Sequence, residues 1–280
     1  DAPPENEDSR PFVAVAGLLA DAGIRVPAIH AMDLNRGFIL LSDFGSEVML
    51  RRVLETPIEA PEWYGAALSV LNTIQLSGSS STLPEYNSHR VEQELALFPE
   101  WFCDRHLGLA FNAEQKAQWE VCIEYICQRW EKMPGGFTHR DYHSRNLMAL
   151  EDFQLGVIDF QDAVSGPLAY DVASLLKDCY VCWPESQRRE WLHQYWETAR
   201  RERILSQSFD EFERDFELCG VQRHLKVLGI FCRLFHRDGK SQYLGDLPLV
   251  RRYLLESLSS IPELGFLQRW LQGIALPEQD

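Results

Sequence analysis

Apolar positions recur three and four apart over most of the chain, the period of helices that bury one face. Ser9, Arg10 and Pro11 predict a helix start, with Ser9 as its cap and proline in the first turn, running to Gly23. Gly37 to Leu41 is a continuous apolar run that predicts a buried strand, ended by Ser42-Asp43-Phe44-Gly45. Helical spacing returns over Pro61 to Gln75, and Ser77 to Thr82 reads as a loop. Further helices are predicted over His89 to Phe98 and, after a turn from Pro99 through His106, over a long stretch that Asn112 caps and Lys132 ends. Trp119, Cys122, Ile123, Ile126 and Trp130 fall on its core face.

Met133-Pro134-Gly135-Gly136 stops that helix, and the pattern changes. Leu147 to Leu150 and Leu155 to Ile158 are short strands around a Glu151-Asp152-Phe153 turn, a hairpin that would bring Asn146 near Asp159. Gly166-Pro167 precedes a helix from Ala169 to Tyr180. The remainder is helical: Glu185 to Arg203, Phe209 to Leu218, Val221 to His236, Leu247 to Leu258 and Glu263 to Gly273. This order of elements is α+β, a mostly helical body with an embedded hairpin.

Composition narrows the class. The net charge of −15 disfavours nucleic acid and anionic membrane surfaces as partners, and no obligate protein partner is implied. Phe12 to Ala20, the longest early apolar run, is well short of the roughly 20 residues of a membrane span. Seven scattered cysteines read as reduced thiols of a cytoplasmic protein; Cys179 and Cys182 lack a second pair at zinc spacing. The absence of an initiator methionine suggests a processed or incomplete chain.

The chemistry concentrates in His139-Arg140-Asp141-Tyr142-His143-Ser144-Arg145-Asn146 and, after the hairpin, Ile158-Asp159-Phe160. Phosphoryl transfer to a hydroxyl needs an acceptor for the hydroxyl proton, a cation to neutralise phosphates, and alignment. Asp141 is the candidate base. Asn146 and Asp159 supply the hard oxygens that suit Mg²⁺. A metal hydrolase using His139, Asp141 and His143 is a weaker alternative, since no further ligand pair accompanies them.

His139-Arg140-Asp141, four further residues and Asn146, then Ile158-Asp159-Phe160, resemble the catalytic and metal-binding loops of protein-kinase-like enzymes. With Gly166-Pro167-Leu168-Ala169-Tyr170-Asp171-Val172-Ala173, the chain is similar to the aminoglycoside phosphotransferase and choline kinase family. Phe137 to Met148 and Gly220 to Leu247 are similar to its bacterial branch of anomeric sugar kinases acting on N-acetylmuramate and N-acetylglucosamine. The resemblance implies a protein-kinase-like fold, ATP as co-substrate with Mg²⁺, an amino sugar phosphorylated at its C1 hydroxyl, and a place in peptidoglycan recycling. It also implies Asp141 as the base, Asn146 and Asp159 on the metal, and His139 and Asp171 ordering the loop. Leu41, Ser42 and Asp43 would be a hinge whose backbone meets the adenine.

His143, Arg145, Gln161, Asp162 and Arg223 are candidates for the sugar, or else brace loops and solvated faces. Asp171 could equally be a helix-start carboxylate favoured by the dipole. The resemblance departs at the phosphate grip: relatives use a glycine-rich hairpin and a strand lysine, and the first lysine here is Lys116. The expectation is therefore that residues 1–44 are the remnant of a largely missing N-terminal nucleotide lobe, and 45–280 the catalytic and substrate lobe. Turnover should then be weak or absent compared with an N-terminally extended chain. Another small-molecule kinase, for choline, homoserine or an aminoglycoside, and a catalytically silent sugar-binding module stay open as alternatives.

Overall fold

A computed structural model describes residues 8–77 and 80–276. Residues 78 and 79 of the predicted 77–82 loop fall outside that range. The elements, in order, are α1 (Arg10–Asp21), β1 (Ile29–Asp33), β2 (Phe38–Leu41), α2 (Met49–Glu55), α3 (Ala60–Leu76), α4 (Ser88–Leu95), a π-helical segment (Phe98–His106) and α5 (Ala113–Trp130). There follow β3 (Gly135–Thr138), β4 (Leu147–Ala149), β5 (Leu155–Val157), β6 (Val164–Pro167), α6 (Leu168–Leu176), α7 (Glu185–Arg201), α8 (Phe209–Asp238), α9 (Leu247–Ser259) and α10 (Gly265–Gln272). The strands form three antiparallel two-stranded ribbons, β1–β2, β3–β6 and β4–β5. Mostly helical α+β architecture is therefore as expected.

One compact unit combines residues up to 85 with 135–207. Its core packs α3 against α7: Tyr64 stacks on Trp191 with ring centres 4.1 Å apart and an interplanar angle of 3°. Gln75 of α3 donates to the carbonyl of Leu168 at 3.1 Å and accepts from the Tyr195 hydroxyl of α7, tying three helices through one buried amide. The β4–β5 hairpin is held on both edges, Ala149 N–H donating to Glu47 O and Val157 N–H to Arg25 O, both at 2.8 Å. Phe44 lies directly on Gly156, where a Cβ would come within 2.6 Å of the ring. The expected hinge is thus anchored to the hairpin that ends in Asn146 and Asp159.

The second compact unit combines residues 86–134 with 208–280. α5 starts on the predicted cap, Asn112, in a capping box with Gln115. Trp119, Cys122, Ile126 and Trp130 are buried; Ile123 is half-buried. α8 is a single helix of 30 residues, from a Ser208–Glu211 capping box to a left-handed Gly239, φ 68°. The two predicted helices over Phe209 to Leu218 and Val221 to His236 are therefore one. Cys219 and Gly220 are buried inside it, so packing offsets the intrinsic helix penalty of glycine. Gly229 supplies a close approach, since a Cβ there would stand 2.5 Å from the backbone carbon of Leu97.

Other expectations are corrected locally. Ser9 makes no cap; the Asp8 carboxylate accepts the Arg10 N–H instead, at 3.0 Å. The apolar run at 37–41 is a strand but not a buried one: Phe38 is 50% and Leu40 61% exposed. Both lie on one face of a ribbon only two strands wide, and an apolar run alone does not report whether a second layer covers it. α2 and β6 were not anticipated, and α6 ends at Leu176 rather than Tyr180, because Lys177 leaves the helical backbone at φ −115°, ψ 45°. Among the described residues no helix is long and apolar enough to cross a membrane. The cysteines are free thiols, Cys182 exposed and six buried.

Candidate active site

The segment joining β3 to β4 is a loop whose backbone is pinned by buried side chains. Asp171, in the first turn of α6 and fully buried, accepts the N–H of His139 at 2.6 Å and that of Arg140 at 3.0 Å, one on each carboxylate oxygen. Arg140 takes a left-handed backbone, φ 75°, which costs a residue with a Cβ and persists because these bonds fix it. Asp171 thus stands in the first turn of a helix and at the same time bonds the backbone of the loop.

His139 is fully buried beneath the loop. The Asp141 N–H donates to its Nδ1 at 3.3 Å, which places the ring proton on Nε2, where it donates to Ile158 O at 3.1 Å. Both nitrogens are engaged within the protein, so His139 is a brace between the two chemical loops and not a metal ligand; the hydrolase alternative loses a ligand. Burial drives its pKa from 6.5 down to about 4, against the pull of Asp141 and Asp159. The folded value lies below the unfolded one, so the associated stability is intact above pH 6.5 and drains away as pH falls toward 4. The expected loss is about 3 kcal/mol. Urea titrations of wild type and His139→Gln across this window test it: the pH dependence should be shallower in the variant, and parallel curves would contradict the assignment.

Asp141 follows, half-buried, with its backbone fully used: its carbonyl accepts from the His143 N–H and from Asn146 Nδ2, each at 3.0 Å. Asn146 Nδ2 also donates to Asp159 Oδ2 at 3.1 Å, and Ile158 N–H donates to Asn146 O at 3.1 Å. The hairpin therefore brings together the three residues singled out for chemistry. Asp159, like Arg140, has a left-handed backbone, φ 63°, and the next ring, Phe160, stacks on Phe12 of α1 at 4.9 Å.

The donor set fits Mg²⁺. A carboxylate and an amide lie side by side, the amide tethered to Asp141 O, and hard oxygens are what the ion takes while retaining waters. Among the described residues no group of three or more His, Cys, Asp or Glu could hold a metal ion by itself.

The remaining candidates separate. Gln161 donates to Asp159 Oδ1 at 2.9 Å and steadies that carboxylate. Asp162, exposed, lies 3.8 Å from the Arg140 guanidinium. His143 meets the edge of Tyr180 at 5.5 Å, and Arg145 lies over the same ring at 3.5 Å. Ser42 exchanges bonds with Ala28, N–H to O at 3.0 Å and Ala28 N–H to Oγ at 2.8 Å, while Asp43 caps the turn by accepting from Gly45 N–H. Leu41 pairs with Ile29 across the ribbon. Arg223 belongs to the second unit, buried in α8 rather than on a solvated face; nearby, Lys226 faces Glu94 at 3.7 Å.

A model of the phosphotransferase enzyme family matches residues 1–207. The chain belongs to the phosphotransferase enzyme family. The N-acetylmuramate/N-acetylglucosamine kinase of Pseudomonas aeruginosa is 46% identical over 98% of this chain and 80% of its own length. The kinase of the same name from Pseudomonas putida is 43% identical over 94% of this chain and 77% of that one. The choline kinase LicA from Streptococcus pneumoniae aligns over 90% of this chain and 80% of its own with a TM-score of 0.62 at 14% identity, a likeness of fold. The chain is a phosphotransferase with a protein-kinase-like fold.

One group escaped the sequence reading. Asp178, buried just after α6, accepts the Ser144 N–H at 3.0 Å and the Ser144 hydroxyl on one oxygen, and the Tyr180 N–H at 3.1 Å on the other. The available signal was the Lys177-Asp178 charge pair set inside the apolar run Leu175 to Val181.

Proposed function

We propose that this phosphotransferase moves the γ-phosphoryl group of ATP to the anomeric C1 hydroxyl of N-acetylmuramate and N-acetylglucosamine, giving the sugar 1-phosphate. The observation that carries this reading is the closed Asp141–Asn146–Asp159 set, in a chain 46% identical to a kinase of that name. Asp141 receives the proton of the attacking hydroxyl. Asn146 and Asp159 hold Mg²⁺, which when bound neutralises charge on the phosphates. His139 and Asp171 keep the base where the hydroxyl arrives, and misplacement by an ångström costs about a hundredfold.

In the same reading, residues 1–44 form the nucleotide side and 45–280 the catalytic and acceptor side, with Leu41, Ser42 and Asp43 along the adenine edge. The Ser42 N–H is already spent on Ala28, so it is not the adenine donor. His143 and Arg145 line the acceptor side, while Gln161 and Asp162 act through Asp159 and Arg140. The reaction draws on cytoplasmic ATP.

The test is an acceptor panel with ADP release as readout, on the protein at its full natural length: N-acetylmuramate, N-acetylglucosamine, choline, homoserine and an aminoglycoside. The reading expects turnover with the two amino sugars; turnover confined to choline, homoserine or the aminoglycoside overturns it.

A further inference from the structure

Residues 143–146 point their side chains two ways. Asn146 turns to Asp159, the metal side. Arg145, its neighbour, turns instead to Tyr180, and so does His143. The guanidinium carbon sits 3.5 Å from the ring centre, so the planar group rests against the aromatic face while Arg145 as a whole is exposed. A guanidinium held by its face keeps its in-plane N–H fork available at the edge, the geometry that grips a carboxylate or phosphate through two parallel bonds.

The support beneath this arrangement is built. Asp178 is 1% exposed and Ser144 fully buried, and the carboxylate bonds both the loop backbone at Ser144 and the backbone N–H of Tyr180. One side chain thus fixes the loop that bears Arg145 relative to the ring on which Arg145 lies.

We propose that Asp178 and Tyr180 are positioning residues that hold Arg145 to bind an oxyanion, and that this oxyanion is the carboxylate of an acidic acceptor sugar. Asn146 and Arg145 turn to different partners, Asp159 and Tyr180, which assigns the guanidinium to the acceptor rather than to the metal pair. Arg145 then sets how well an acidic amino sugar is used relative to a neutral one. The inference rests on the amino-sugar reading above.

N-acetylmuramate and N-acetylglucosamine differ by a lactyl carboxylate, so the pair isolates the contact. KM and kcat are measured for both sugars and for ATP in wild type, Arg145→Gln, Arg145→Lys, Tyr180→Leu and Asp178→Asn. Losing a charge-assisted pair should raise KM for N-acetylmuramate roughly ten- to a hundredfold in Arg145→Gln. KM for N-acetylglucosamine and for ATP should stay within about twofold, the change expected where no such bond is lost. Arg145→Lys should recover part of the loss, and the two positioning variants should move the same ratio by less.

The double variant Arg145→Gln/Tyr180→Leu should be little worse than Arg145→Gln, since both changes remove one contact. If Asp178→Asn does not fold, Tyr180→Leu, at a half-buried side chain, carries that arm. Equal losses for both sugars, or unchanged KM, would overturn the proposal, and a rise in KM for ATP would assign the guanidinium to nucleotide phosphate. Wild type that phosphorylates neither sugar would instead remove the functional reading, and this inference with it.

Discussion

Asp141→Asn lowers kcat by about 10²- to 10⁴-fold, the worth of a positioned general base. The backbone of residue 141 carries bonds that asparagine retains. Its N–H engages His139, and its carbonyl holds His143 and Asn146. Asparagine keeps all of these and the side-chain shape, so thermal denaturation should match wild type while steady-state phosphorylation collapses. Unchanged kcat in a folded variant would remove Asp141 from the chemistry. It would also favour a catalytically silent binding module.

Asp171→Ala is the larger structural blow. The carboxylate is wholly buried and satisfies two backbone N–H groups, which alanine would leave without an acceptor beside a left-handed Arg140. A buried donor stripped of a charged partner costs about 1–3 kcal/mol, so the pair should cost about 2–5 kcal/mol in urea unfolding. Activity should fall further than stability alone explains, because His139 and the base drift when their tether is cut. Asp171→Asn, keeping one acceptor oxygen, should fall between. Alanine with wild-type stability would mean that the loop is held by something else.

How much of this could be read along the chain depended on the range of the interaction. Asn112 capped its helix as expected because a cap and its Gln115 partner lie three residues apart, within one turn of backbone. The hairpin joining Asn146 to Asp159 was legible for the same reason: a short turn between two apolar runs leaves few other geometries. Asp178, by contrast, meets Ser144 across 34 residues, and the partner is chosen by how α6 packs, which no local pattern encodes.

The exposed Phe38 and Leu40 illustrate a second limit, since apolar runs report a tendency to be covered and not what covers them. Gly220 shows a third. Two helices were expected on either side of it, and burial along one 30-residue helix joins them, a packing effect that no local pattern encodes. The family resemblance supplied only the expectation that Asp171 orders the loop and that residues 41–43 form a hinge, and the structure gives Asp171 two backbone bonds.

The central claim is the position of the transferred phosphoryl group. Phosphorus NMR of the product made from ATP, Mg²⁺ and N-acetylmuramate by the full natural-length protein tests it most directly. The account predicts a sugar phosphate whose phosphorus couples to the anomeric proton, the mark of a 1-phosphate. A phosphorus coupled to the C6 protons would contradict it.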